Sequence, residues 1–466
     1  MHLHRTWAAG LGSSLGLAAA LAWPQHALAD PASDVEQLKK DIADLRQSYE
    51  ARLQAMEQKL LQLQQAAPAA VPAEAPPPAP APAAAAAATS ASAFNPAVSL
   101  ILNGTYANLS QDPARYRLQG FMPSGGEVGP GRRSFQLGES ELGFAATIDP
   151  TFSGHLTFSL TGDDTVSVEE AVFERQGLFD GATLKGGRFL SSIGYLNSQH
   201  AHAWDFVDAP LAYQAFFGGP LKTDGLHLHW LAPTERFVEL GAEVGSGATF
   251  PGNDTGRNGI GSAALFAHLG DDVGDSASWR AGLSVLRQRA QDWRYEDLDA
   301  NGDDHGASFS GHSTTWVADA IYKWAPGGNA TRENLKLQGE YFRRTEDGTL
   351  AQGAALGGYR STQSGWYLQA VYQFMPQWRV GARYDRLDAG RLGIGLVDDG
   401  TLNAADLPVL QHATPTRSTL MVDYSLSEFS RFRLQLANDR SRGDATDRQL
   451  FLQYIMSLGA HGAHSF

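Results

Sequence analysis

The residues of this chain best suited to chemistry stand close together, in His200-Ala201-His202-Ala203-Trp204-Asp205-Phe206-Val207-Asp208-Ala209-Pro210. Two imidazoles two residues apart, with carboxylates just behind them, are donors that a borderline-soft cation such as zinc accepts. The spacing matches no established zinc pattern, and the same groups serve equally as hydrogen-bonding or pH-titrating side chains of an extended loop. Zinc is therefore carried as a candidate ligand of His200 and His202, and no other cofactor is expected. Charged pairs recur elsewhere at same-face spacing: Glu139 with Glu141, Glu239 with Glu243, and Arg379 with Arg383, to which Arg188 is added. Around an aqueous lumen, opposed ladders of such charges impose a transverse field on passing ions; alternatively, they pair and stiffen the wall. His227 and His229 share a face opposite Leu226, Leu228 and Trp230 and read as polar lumen filling. The run Asp297-Leu298-Asp299-Ala300-Asn301-Gly302-Asp303-Asp304 starts like a calcium loop but lacks the closing Glu and flanking helices. Ser, His and Asp residues are numerous, yet none shows the nucleophile-and-base arrangement of a barrel hydrolase, so no catalytic residue is expected.

Those side chains must be positioned by strands, because from Phe94 to Phe466 the pattern has period two. Trp316, Ala318, Ala320, Tyr322 and Trp324 alternate with Val317, Asp319, Ile321 and Lys323, and Trp378, Val380, Ala382 and Tyr384 alternate with Arg379, Gly381, Arg383 and Asp385. One face suits lipid and the other water, the signature of a transmembrane barrel. About sixteen such segments occur, centred near residues 103, 142, 157, 171, 186, 228, 240, 265, 283, 318, 340, 369, 383, 421, 434 and 452. Long connections at 110–133, 191–222, 246–260, 290–311, 346–362 and 388–415 alternate with short ones such as Asp149-Pro150-Thr151, Ala232-Pro233-Thr234 and Met375-Pro376-Gln377. That asymmetry predicts outer loops on one side and periplasmic turns on the other. The 191–222 connection also holds Trp204, Phe206, Tyr213, Phe216 and Phe217, too apolar a set to stand in solvent. It is expected to enter the barrel and form a constriction with His200, His202, Trp204, Asp205 and Asp208; packing over the rim or at a subunit contact is the alternative. With Glu139, Glu141, Glu239 and Glu243 facing the lumen, a modest cation preference is expected.

Ahead of the strands, residues 1–29 read as an export signal with a small-residue cleavage site at Ala27-Leu28-Ala29. Residues 30–65 carry an imperfect heptad seam through Val35, Leu38, Ile42, Leu45 and Tyr49, which predicts a periplasmic, trimeric coiled coil. Residues 66–93 are an Ala/Pro spacer. Composition agrees: 50 Gly, 22 Phe, 14 Tyr and 10 Trp with a mean hydropathy of −0.27 give many aromatics without long apolar runs. A formal charge of −14 argues against nucleic acid as a partner, and the absence of cysteine excludes disulfides and thiolate chemistry. Leu450, Leu452, Tyr454, Met456 and Leu458 share parity with the terminal Phe466, an ending suited to barrel-assembly machinery.

The stretch Lys185-Gly186-Gly187-Arg188-Phe189, followed by Ile193-Gly194-Tyr195, resembles the Gly-Arg-Phe strand and adjoining loop of the phosphate-selective porin O and P family. The run Asn197 to Tyr213 resembles an uncharacterised subfamily of outer-membrane proteins sometimes described as receptors. The resemblance implies a trimeric outer-membrane channel for small solutes or ions, with a metal-uptake receptor as the alternative. Phosphate porins are expected to line the pore with Arg and Lys, and the glutamates named above depart from that. A TonB-dependent transporter needs about 22 strands and a plug, for which the strand region is too short.

Overall fold

The computed structural model describes residues 96–459 except 126, 127, 255, 257, 299–302 and 444. The expected export signal, coiled coil and spacer lie outside the described residues, as do His461, His464, Phe466 and the centre of the acidic 297–304 run.

The described chain is one antiparallel sheet closed on itself. Its strands are β1 (Ala97–Leu109), β2 (Ser134–Leu137 continued by Ser140–Thr147), β3 (Phe152–Leu160), β4 (Val166–Gln176), β5 (Ala182–Leu190), β6 (Lys222–Leu231), β7 (Phe237–Gly245) and β8 (Ser262–Val273). There follow β9 (Ala277–Arg294), β10 (Ser308–Trp324), β11 (Asn334–Gln352), β12 (Ala355–Met375), β13 (Trp378–Ile394), β14 (Thr416–Ser427), β15 (Ser430–Asp439) and β16 (Asp447–Gly459). Both halves of β2 pair with β1, interrupted by a bulge at Gly138 and Glu139, so the barrel has 16 strands. Each strand pairs with its sequence neighbour, and β1 closes on β16 from Ser99↔Gly459 to Leu109↔Gln449. Closure leaves no free edge, which satisfies the backbone where no water could. All sixteen expected segments fall on these strands, and no described helix is long and apolar enough to cross a membrane.

Alternation assigns the two faces. Trp316 and Leu368 are 48% and 58% exposed on the outside, while Asp319 and Gln369 are buried inside. The inner face is less uniformly polar than the alternation implied: Val317, Phe342, Tyr367 and Leu387 also point inward and are fully buried. They have something to bury against, namely the connections folded into the lumen.

Three of the expected loops are shorter than the sequence suggested. Strands β9 to β13 run 17–21 residues, far more than a tilted span of about 9–11 residues needs. Residues 290–294, 308–311, 346–352, 355–362 and 388–394 are therefore wall, and β11 and β12 are joined only by Gly353 and Ala354. Along Arg343-Arg344-Thr345-Glu346-Asp347 the outward positions Arg343, Thr345 and Asp347 are polar and exposed while Arg344 and Glu346 are buried inside, so the run loses its apolar outer face while its ladder continues.

Candidate functional site

The connection between β5 and β6, residues 191–221, crosses the lumen. Its base is tied by Asn197, whose Nδ2 donates to the carbonyls of Ser191 (2.7 Å) and Leu221 (3.0 Å) while its Oδ1 accepts from Leu221 N (2.7 Å). Beyond this neck a short helix α1 (Leu211–Phe217) has every residue buried and ends at Gly218, whose φ of 74° is the left-handed turn a Cβ would disfavour. Phe216 stacks on Phe342 of β11 at 5.7 Å and meets the edge of Phe121 at 5.7 Å. Arg344 lies 5.2 Å over the Phe216 ring, a cation on a π face. Glu340 of β11 anchors the same region, accepting from the hydroxyls of Tyr213 (2.9 Å) and Tyr367 (2.6 Å) and from Leu196 N (3.0 Å) and Tyr195 N (3.3 Å).

The loop's charges are sorted by side. Asp205 meets Arg379 (3.1 Å), Lys336 and Gln369, and Asp208 meets Arg417 (2.5 Å), Arg383 (3.0 Å) and Gln435 (3.0 Å). Burial pushes both carboxyls up, but Lys336 and Arg379 outweigh it for Asp205, and Arg417 and Arg383 for Asp208, holding each below the usual carboxylate range. Wall arginines also hold the loop's carbonyls: Arg431 donates to His202 O, Arg433 to Trp204 O, Arg383 to Asp208 O and Arg417 to Ala209 O, at 2.6–3.0 Å. On the opposite wall, His200 reaches Glu141 of β2 and Glu169 and Glu170 of β4, and His202 Nδ1 lies 2.7 Å from Glu141 Oε1. Burial works against charge on His200, yet hydrogen bonds to these three carboxylates hold it well above the ordinary imidazole value. Imidazoles thus face the acidic wall and carboxylates the basic one, so the loop spans the barrel fastened at both ends.

His200, His202, Trp204, Asp205 and Asp208 are all on this crossing segment. Trp204 is buried, its indole N–H donating to Gln199 O (2.9 Å). Glu139 accepts from Ser159 (2.9 Å), Glu239 pairs with His268 (2.8 Å), and Glu243 accepts from Ser191 Oγ (2.6 Å) and Ser192 N (2.8 Å). His227 is buried beside Glu243 on the inner face. Arg188 is a correction: it stands opposite Asp224, on the outer face that also carries Phe173 and Leu226, and pairs with Asp224 at 2.6 Å. Phe189 takes the inward position instead, 5.4 Å from His227, and that turns Arg188 outward.

Sequence reasoning missed Glu169, Glu170, Glu340, Lys336, Arg417, Arg431 and Arg433. Strict alternation places Arg431 and Arg433 inward opposite Phe432 and Leu434, so those two carried a signal. Glu169 and Glu170 did not: adjacent strand residues point apart unless a bulge intervenes, and one does, between Thr157↔Glu170 and Phe158↔Val168.

Two cavities flank the crossing segment. One of about 1070 Å³ opens at the short-turn end and is lined by Lys323, Lys336, Arg379 and Arg431 with Asp205 and Glu428. Another of about 230 Å³ lies against Ala201, Trp204 and Val207 on one side and Glu139, Phe451 and Gln453 on the other. A second apolar layer, with Met122, Tyr295, Leu407, Val409 and Leu410 from the 110–133, 295–307 and 395–415 connections, packs on Phe309, Leu350 and Tyr359.

Fold and site together define a closed 16-strand antiparallel barrel whose lumen is crossed by one of its own loops. The chain belongs to the same family as an uncharacterized protein of Aquifex aeolicus (strain VF5), with which it is 30% identical over 401 residues, 80% of each chain. No protein-family model matches it. Among solved structures it is similar to OprB of Pseudomonas putida (16% identity, 78% of this chain and 94% of that one, TM-score 0.49). It is also similar to an anion-selective porin from Comamonas acidovorans (11%, 78% and 99%, 0.48) and to a loop L8 deletion mutant of OmpT, an outer membrane protein of Vibrio cholerae (11%, 78% and 98%, 0.48).

Proposed function

We propose that this chain is a bacterial outer-membrane channel for passive diffusion of small solutes or ions, assembled as a trimer by the barrel-assembly machinery, with the 191–221 loop as its constriction. The observation that carries this reading is the loop itself, fastened to opposite walls by ion pairs with a cavity on either side. A barrel of about this strand number encloses an aqueous lumen, and a loop across it decides what passes. An apolar outer belt that includes Trp316, Leu368, Leu420 and Leu452 supports seating in lipid. Asp205, Asp208, His200 and Glu340 are engaged in fastening the loop, which supports a channel over an enzyme.

The cation preference expected from glutamates gives way to the opposite proposal. Glu139, Glu141, Glu239 and Glu243 are each held by a histidine, a serine or a backbone N–H. The larger cavity carries Lys323, Lys336, Arg379 and Arg431; Lys336 and Arg379 pair with Asp205, and Arg379 and Arg431 face Asp423, yet these cations still outnumber Asp205, Asp423 and Glu428, so we assign it a field that favours anions. This partly restores the resemblance to phosphate porins, although Arg188 of the Gly-Arg-Phe strand takes no part. The test is the reversal potential of the whole chain in a planar bilayer under a potassium chloride gradient. Chloride is expected to carry the larger share of current, and Lys323→Glu to shift the potential toward cation passage. Absence of an ohmic current refutes the channel, and strong cation preference refutes the anion assignment.

A further inference from the structure

Where the loop meets the acidic wall, the donors are arranged as a metal site requires. His200 Nδ1 lies 3.2 Å from Glu141 Oε2 and 3.3 Å from Glu169 Oε2, and the three donor atoms all fall within 4.8 Å of one another. Two donors on a tetrahedral zinc with bonds of about 2.0–2.1 Å stand roughly 3.3–3.4 Å apart, close to the spacing at which His200 Nδ1 already stands from each carboxylate oxygen. Glu141 and Glu169 are almost fully buried, at 4% and 1% exposure. Buried carboxylates need a positive partner, which here is the His200 imidazole or a cation that displaces its proton.

The groups behind these donors fit as well. A metal-bound imidazole usually gives its other ring N–H to a carboxylate, which fixes the tautomer. His200 Nε2 has that partner in Glu170 Oε2 at 2.9 Å, and His155 Nε2 is 3.4 Å from the same oxygen. The remaining oxygen of Glu141 faces His202 Nδ1 (2.7 Å), and that of Glu169 faces Lys222 Nζ (3.8 Å). The sequence alone suggested His200 and His202 as ligands. The geometry assigns His202 a supporting position and replaces it with two wall carboxylates.

We propose that Glu141, Glu169 and His200 bind one divalent transition-metal ion of the zinc class, joining the loop to β2 and β4. Three protein donors leave a fourth position for water or a passing ligand. The donor set joins two carboxylate oxygens to one imidazole nitrogen, which favours zinc or cobalt(II) over calcium or magnesium, whose sites are built from oxygen alone. The proposal concerns binding and stands whether or not the barrel conducts.

The test uses the whole chain, purified in mild detergent, stripped with a chelator and titrated with zinc chloride against a chromophoric indicator, with cobalt(II) as a spectroscopic probe. One zinc per chain is expected, and cobalt(II) should give the visible d–d bands of a low-coordinate nitrogen–oxygen site. Glu169→Gln, which keeps shape and removes charge, and His200→Ala should each abolish that binding. Glu170→Gln should weaken it by about 10–100-fold, as loss of a carboxylate orienting a ligand does. His412→Ala, remote from the cluster, should bind like the wild type. Heat-modifiable migration on gels reports whether each variant keeps its barrel, and if His200→Ala does not, Glu169→Gln decides. No stoichiometric zinc in the wild type, or equal affinity in Glu169→Gln, overturns the proposal.

Discussion

Excising residues 199–219 and rejoining the chain with a short Gly/Ser link is expected to raise single-channel conductance several-fold and to blunt ion selectivity. The barrel should survive, because its closure depends on backbone pairing among β1 to β16, to which the loop contributes nothing. The wall residues left behind, among them Arg383, Arg417, Arg433 and Glu340, would then face lumen water, which solvates charge far better than a dry seam with missing partners. The apolar inner patch of Val317, Phe342 and Tyr367 would be wetted at some cost, so a lower melting temperature should accompany the larger current. Bilayer recordings of both proteins at equal salt check this. Unchanged conductance would move the constriction to the second layer, where Met122, Tyr295 and Leu410 pack.

Glu340→Ala is expected to unseat the loop without removing it. Four donors converge on this carboxylate from the loop, α1 and β12, and all lie in buried surroundings. Each buried donor left unsatisfied costs about 1–3 kcal/mol, and with partial relaxation the total is on the order of 3–5 kcal/mol. The loop would then sample positions away from β11, seen as current flicker and as faster proteolysis between Tyr195 and Tyr213. Glu340→Gln keeps one accepting oxygen and should lie between the two. A quiet, wild-type current in Glu340→Ala would mean that α1 is held by its rings alone.

These expectations rest on features of unequal legibility. The strands were readable wherever lipid imposes an apolar face, as at Trp316, Ala318 and Ala320 against Asp319, because a one-residue slip would bury charge in hydrocarbon. Above the bilayer that constraint ends, and 346–362 read as a loop although its backbone is paired throughout β11 and β12 apart from Gly353 and Ala354. The crossing loop was readable from its aromatics, and its His and Asp residues from their types. Their partners were harder: Glu169 and Glu170 share a face only through a bulge, and Glu340 matters because strands remote in sequence bring it under Tyr213. Arg188 misled because its motif says nothing of phase, which Phe189 settles from the next position.

The long strands β9 to β13 are neighbours, so their excess length rises on one flank and leaves the other low. The mouth at the long-connection end is thus a one-sided parapet, its backbone amides locked in a ladder except where the 295–307 and 395–415 connections leave it. The shorter strands β2 to β8 form the lower flank, the side on which Glu141 and Glu169 hold the crossing loop. Slow amide exchange that continues from the rest of the wall through residues 343–362 would mark the parapet in solution.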